Sequence, residues 1–485
     1  MNIALINPPF LFPCRQEIAL SHCLGLRSIS ASLKARSHRV QFIDALAGGI
    51  DHSEPFAGGV LVGQPIGQIV AQLRSDTDLV GVSVPFSQLA HVGHRLVAAA
   101  IERLPRARVI LGGVYPSTQP DLALRAGAHA IVVGEGEGVM SAIAGGAALE
   151  QIAGVYTRPL APPQRYVSAV AAEDLDLLPR VDDDIPHLEA YFEFSPRAAR
   201  GRRVASIITS RGCPFDCEFC SVHPVCGRRW RAMSAERVVD DVDYLMSRHR
   251  VRELEIEDDN FTLDASRACE VLEGFIRLGQ RHGPLAWRAP NGIRIDTIDA
   301  PLAGLIARSN CTSLSVALEH GDGEMLEIMN KRLDPGRAYE ALRLLTTAGV
   351  RQIVVFVIVG YPGETAQRFE RSLAYLRRIR KLSRRIIPCV NIAQPYPGTR
   401  LLERCLSEGI IVSSEFADFA ASPRLLSTNA TVPIETADFD AAEVFRRRRR
   451  ICRAMPALSL PARIANRIRR ACPQLWGKSR GRGTE

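Results

Sequence analysis

The chain has 485 residues, a formal net charge of +9, 46% hydrophobic and 23% charged residues. That length predicts two large domains with a small appendage, and the composition excludes general disorder or a low-complexity chain. The longest strongly apolar run, Ile353 to Gly360, falls far short of the roughly 20 residues a membrane span needs. The opening MNIALINPPF has no basic leader and is interrupted by Pro8-Pro9, so a cytoplasmic protein is expected. Twelve cysteines, mostly scattered, predict reduced thiols rather than a disulfide scaffold.

Residues 1–150 alternate short apolar strands with amphipathic helices: NIALINPP, LGLRSISASLKARSH, RVQFIDAL, LVGVSVPFS, ARVILGGVY and HAIVVGEGE. This alternation predicts an open, doubly wound parallel sheet whose ligands lie at the carboxyl ends of its strands. The loops there are Asn7-Pro8-Pro9, Ser83 to Ser87, Gly112-Gly113-Val114 and Gly134-Glu135-Gly136. GEGEG is a poor dinucleotide fingerprint, because Glu135 and Glu137 would repel a pyrophosphate and the motif follows the last strand, not the first. Residues 151–200 are Pro-rich and acidic, without sustained periodicity, and read as an ordered linker. Six further strand-helix units over 201–409 predict a partial TIM-like (βα)6 barrel with its chemistry at the C-terminal strand ends. Residues 410–485 read as a small, basic, helical extension. Its run Arg446 to Arg450 is either a solvated helix face or a contact for RNA or anionic lipid at a membrane surface.

Directly after the first barrel strand stands SRGCPFDCEFC. Three thiolates at this spacing can hold three irons of a four-iron cluster, leaving one iron open to a chelating ligand. A structural zinc with Cys226 as fourth ligand is the alternative. The spacing Cys213-x3-Cys217-x2-Cys220, with Phe219 before the last cysteine, resembles the signature of the radical S-adenosylmethionine superfamily. That resemblance implies a [4Fe-4S] cluster on Cys213, Cys217 and Cys220 and S-adenosylmethionine as cofactor. It places Glu257, Asp258 and Asp259 at the cofactor's amino group, although a helix cap involving Thr262 and Asp264 explains the same letters. It puts Glu319 near the ribose, and Phe219, Gly360 and Pro362 along the cofactor. Gly360 and Pro362 belong to GYPGE, which like Pro395 to Thr399 is alternatively a plain tight turn. PNGIR (Pro290 to Arg294) and NKRL (Asn330 to Leu333) follow in the family's order.

The first 140 residues, with LGL near Leu24, GGVYPS near Gly112 and VGEGE near Gly134, resemble the cobalamin-binding domain of one large subgroup of these enzymes. The implied cobalamin contacts are Ser83, Ser87, Gly112, Gly113 and Gly134. The Asp-x-His-x-x-Gly motif is absent, so no histidine ligand to cobalt is expected, and His22, His91, His94 and His129 read as surface or helix-face residues. The resemblance implies methylation of an unactivated carbon in a small-molecule substrate, such as a lipid, a porphyrin-like ring, an antibiotic intermediate or a peptide. A flavodoxin or ferredoxin would supply electrons. Oxidative cyclisation or rearrangement with the same cofactors is the alternative; an RNA-modifying radical enzyme or RNA-binding protein is a second.

Overall fold

NIALIN near the amino terminus is buried almost throughout, as a parallel strand covered on both faces must be. The computed structural model describes residues 1–20, 22–161, 164–193, 202–412, 418, 420–421 and 431–456. The strands of the first part are β1 (Asn2–Asn7), β2 (Phe10–Phe12), β3 (Arg39–Asp44), β4 (Ser53–Phe56), β5 (Gly59–Val62), β6 (Leu79–Ser83), β7 (Arg108–Gly112), β8 (Ala130–Val132) and β9 (Val155–Tyr156). Six of them form one sheet in the order β3-β1-β6-β7-β8-β9. The pairings are parallel except for the antiparallel edge between β8 and β9. A small antiparallel sheet, β2-β5-β4, was not foreshadowed by the strand-helix rhythm. Its strands, of three or four residues, are too short to carry a period of their own.

The second part contains β10 (Val204–Ile207), β11 (Ser210–Arg211), β12 (Arg231–Ala232), β13 (Glu253–Ile256), β14 (Ala286–Ile293), β15 (Cys311–Glu319), β16 (Ile353–Val359) and β17 (Ile386–Ile392). Six parallel strands run in sequence order, β10-β13-β14-β15-β16-β17. Helix starts in this part are fixed by side-chain caps: Ser234, Asp264, Asp299, Asp322, Asp334, Thr365 and Thr399 each accept from a backbone N–H in the first turn. Each cap satisfies donors the helix cannot, so these strand-to-helix turns are held in place.

The linker proves to be a strap engaged on both sides. Asp182 accepts from Ser30 at 2.5 Å and Lys34 at 3.1 Å on the first helix, Leu24–Lys34. Its neighbour Asp183 accepts from Tyr244 at 2.5 Å and His249 at 2.9 Å in the barrel. Tyr191 and Phe192 plug the junction, each about 1% exposed. Beyond residue 409 the structure departs from an appendage. The helix Ala441–Ala454 packs on β16, β17 and the helix Ala366–Leu382, and so belongs to the covering layer of the barrel. Val444 and Ile451 are buried there, each contributing about 1.5–3 kcal/mol. Four arginines of the basic run are engaged within the protein: Arg446 with Glu443, Arg447 with Glu364, Arg448 with the Val390 carbonyl and Arg450 with Glu370. Arg447 is buried and Arg448 half-buried, whereas Arg446, Arg449 and Arg450 are exposed, so the run docks along one side and stays solvated along the other.

Candidate active site

The cysteine loop leaves β10 at the C-terminal mouth of the barrel and is anchored on every side. Asp258 accepts from the backbone N–H and hydroxyl of Thr209 and from the Ser210 hydroxyl, each at 2.6 Å. Asp259 accepts from the Gly212 N–H at 2.9 Å. On the far side, Asn330 donates to the Asp216 carbonyl at 2.6 Å and the Glu218 N–H to the Met329 carbonyl at 2.9 Å. Cys213, Cys217 and Cys220 are free, partly buried thiols. Burial raises all three above the ordinary thiol value, Cys220 to about 12. Lys331 and Arg294 act against this at Cys213 and Cys217 by favouring the thiolates. Reduced thiols on one loop beside fixed cations suit an anionic iron-sulfur cluster.

The zinc alternative fares worse. A mononuclear zinc needs its thiolates about 2.3 Å from one point. Among the described residues no three Cys, His, Asp or Glu side chains converge in that way. Cys226 lies at the end of the short helix His223–Cys226, its thiol pushed up to about 12 by burial and by the charge of Asp259.

The other residues singled out at the mouth separate into several kinds. Asp258 is buried, and its carboxylate is occupied as a clamp on Thr209 and Ser210 just after β10. The helix cap of this segment is Asp264, whose carboxylate accepts from the Arg267 N–H. Glu257 and Asp259 remain partly accessible. Glu319 stands at the end of β15 with a φ of 69°, at a register shift against β16. A non-glycine residue held there is strained, and the bulge re-aims its side chain. Lys331 donates to Glu319 Oε1 at 3.2 Å, both side chains being 8% exposed. Arg294 ties this lysine segment to the cysteine loop: it donates to the carbonyls of Lys331 and Arg332 and lies 3.7 Å over the Phe215 ring.

Phe219 meets Tyr361 edge-on, with ring centroids 6.4 Å apart, and Tyr361 donates to Glu218 at 2.5 Å. Gly360 has a φ of 72°, and a Cβ there would come within 2.9 Å of Val444 on the C-terminal helix. Helix packing therefore accounts for this glycine, and Pro362 is buried beside it.

In the first domain, Ser83, Ser87 and Gly112 border the carboxyl edge of β6 and β7 and are partly accessible, with Phe86 beside them 51% exposed. A Cβ on Gly112 would meet only Val132, at 4.0 Å, so no packing contact requires glycine there. Gly113 and Gly134 serve packing instead. A Cβ on Gly113 would lie 2.6 Å from the Val84 carbonyl oxygen, and one on Gly134 would lie 3.1 Å from the Ala169 nitrogen and Ser168. His94 pairs with Tyr115 at 2.9 Å, His129 accepts from the Val109 N–H and His91 meets the Ala420 carbonyl. His22 corrects its surface reading: it is 8% exposed, 3.0 Å from Arg27, and contacts the Val204 carbonyl of the barrel.

The carboxyl edges of the two sheets face each other. Ser168 donates to the Pro224 carbonyl beside the cysteine loop, and a side chain at Gly398 would run into Thr118 and Pro224. Glu135 of the first domain pairs with Arg211 of the cysteine loop at 3.0 Å. Residues 19–144 match the model of the B12 binding domain, and residues 207–376 match that of the Radical SAM superfamily. The chain is a cobalamin-domain radical S-adenosylmethionine enzyme. Its cofactors are a [4Fe-4S] cluster, S-adenosylmethionine and cobalamin.

The enzyme is 26% identical over 426 residues to an uncharacterized methyltransferase of Pyrococcus horikoshii, covering 86% of each chain. It is 26% identical over 455 residues to the cytidylyl-2-hydroxyethylphosphonate methyltransferase of Streptomyces wedmorensis, covering 85% of this chain and 83% of that one. Its fold matches the radical S-adenosylmethionine methyltransferase TsrM of Kitasatospora setae, solved with cobalamin and a [4Fe-4S] cluster, at a TM-score of 0.66 and 17% identity over 95% and 89% of the two chains. No helix among the described residues is long and apolar enough to cross a membrane.

Sequence reasoning passed over Lys331, Arg294 and the pairing of Glu135 and Glu137 with Arg211 and Arg231. Signals were present: NKRL and PNGIR stood out as motifs, and Arg211 immediately precedes the Gly-Cys of the loop. What was missing was the partner, since each pair joins residues distant along the chain.

Proposed function

We propose that this enzyme methylates a carbon of a small-molecule substrate held between the two facing edges. The observation that supports the reading is the meeting of the cysteine loop with the carboxyl edge of the cobalamin-binding sheet, which is where two cofactors acting on one substrate would need their domains to meet. The names of the two relatives that align along most of the chain support it. When bound, the cluster and S-adenosylmethionine supply hydrogen abstraction from an inert carbon, and cobalamin supplies a methyl carrier.

The residues divide the remaining work. Cys213, Cys217 and Cys220 ligate the cluster. The Glu257 carbonyl and the Asp259 carboxylate accept from the ammonium group of S-adenosylmethionine. Glu319, steadied by Lys331, accepts from ribose hydroxyls through the oxygen that the lysine leaves. Ser83, Ser87 and Gly112 border the corrin. Tyr361 holds Glu218, and with it the segment around Phe219, while the docked linker and C-terminal helix keep water from the barrel flank.

The test is anaerobic reconstitution with methyl-labelled S-adenosylmethionine and a panel of small molecules. A product carrying one labelled methyl group together with 5'-deoxyadenosine is expected, and a Cys213→Ala enzyme should yield neither. Deoxyadenosine with a dehydrogenated, cyclised or rearranged product and no label would replace methyl transfer by the oxidative or rearranging alternative.

A further inference from the structure

Strands β11 and β12 form the neck of the cysteine loop, with Arg211 directly opposite Arg231 across the ladder. Two guanidinium groups facing each other in this way repel and would hold the neck open. Glu135 of the cobalamin-binding domain reaches between them. Its Oε2 accepts from Arg211 at 3.0 Å and from Arg231 at 3.2 Å, and its Oε1 accepts from the second terminal nitrogen of Arg231. Glu137 takes the other Arg211 nitrogen at 2.8 Å and the Ser28 hydroxyl at 2.7 Å. The four side chains are 5–14% exposed, so two buried cations are matched by two buried anions. Arg231 also donates to the carbonyls of Ala172 in the linker and Cys226 in the loop. None of the four touches a cluster cysteine in this arrangement; they act through the loop.

We propose that Glu135 and Glu137 are positioning residues for the iron-sulfur cluster: the cobalamin-binding domain closes the neck of the cysteine loop and so couples cluster retention to domain docking. The inference rests on Cys213, Cys217 and Cys220 as ligands and is independent of which group the enzyme transfers.

The test compares anaerobically reconstituted wild-type, Glu135→Gln, Arg231→Gln, Glu135→Gln/Arg231→Gln and Cys213→Ala proteins. The readouts are iron loss to an external chelator, the electron paramagnetic resonance spectrum of the reduced cluster with and without S-adenosylmethionine, and the thermal midpoint. Glu135→Gln should take up iron but release it about tenfold faster or more, because two buried like charges are left facing each other. Its spectral response to S-adenosylmethionine should broaden. The double variant, which removes one of the opposed arginines, should recover most of the retention, a coupling that independent sites would not give.

Wild-type retention in Glu135→Gln, or a double variant no better than the single, overturns the proposal. So does a core substitution such as Leu342→Ala that lowers the midpoint equally and loses iron just as fast. Where Glu135→Gln cannot be recovered folded, a folded double variant with normal retention supports the proposal, and a double variant that also fails to fold overturns it. A full cluster in Cys213→Ala would overturn the ligand assignment itself.

Discussion

Two buried charge clusters tie distant segments to the barrel, one at its mouth and one behind its last strands. At the mouth, Glu135 and Glu137 meet Arg211 and Arg231 between two domains. Behind it, Glu364 accepts from the Gly360 N–H at 2.8 Å, from His320 at 3.2 Å and from Arg447 of the C-terminal helix at 3.1 Å, within one domain. Asp322 donates its N–H to His320 Nδ1, so Nε2 carries the proton that reaches Glu364. The same chemistry does two jobs. The cluster behind the barrel closes the GYPGE turn and the strand carrying Glu319, and the one at the mouth sets the loop carrying the cysteines against a second domain. A buried ion cluster is weak evidence of net stability, because desolvation offsets its attraction, but it tolerates few alternative arrangements. Geometry is what both clusters specify.

The largest effect should come from breaking either cluster on one side. Arg447→Met leaves Glu364 buried without its guanidinium and should cost about 3–5 kcal/mol in denaturant unfolding, as should Arg211→Met at the mouth. The comparison is sharpened by the cofactor: Arg447→Met should raise the KM for S-adenosylmethionine more than it speeds iron loss, and Arg211→Met the reverse. Equal effects of both variants on both readouts would erase the distinction.

Acid provides a smaller perturbation. Burial would raise Glu137, but Arg211 and Ser28 outweigh it and hold its carboxyl below the ordinary value. A depressed carboxylate stabilises the fold above that ordinary value and loses its contribution only as pH falls through the depressed one. Glu137 should therefore keep its charge from pH 7 to 5. His22, at the same domain junction, is lowered to about 3 by burial and then by Arg27. Below its ordinary value of 6.5 the unfolded chain takes up a proton that the folded chain refuses, so stability falls as pH drops from there toward 3. The slope should not exceed about 1.4 kcal/mol per pH unit for this one group. Unfolding of His22→Gln between pH 7 and 5 should show that slope removed, whereas Glu137→Gln should leave it in place.

The smallest effect is expected at the rim of the cluster behind the barrel. Arg450 pairs with Glu370 where the side chains are 43% and 53% exposed. Arg450→Ala should change stability by less than about 1 kcal/mol, and that little should shrink further in salt. A large loss there would mean that the basic helix is held by its exposed pairs and not by Arg447.

Much of this protein was legible from the order of its residues. Alternating apolar runs and caps specify two strand-helix domains, since periodicity and turn chemistry are local properties that survive without knowledge of the fold. The cysteine triplet was legible for the same reason, as its spacing along one loop carries the chemistry. Other features depended on distance in space. That the Asp258 carboxylate is engaged by Thr209 and Ser210 is visible only in the fold. Gly113 and Gly360 read as cradles until Val84 and Val444 are seen to fill the space. The five-arginine run reads as a solvated face until Arg447 is found inside. GEGE reads as a turn too acidic for a phosphate, yet its glutamates are the partners of two arginines about a hundred residues or less downstream. Local patterning by itself determined which elements form and where the cysteines stand; tertiary structure decided which charges meet, because a buried charge is defined by a partner that no local window contains.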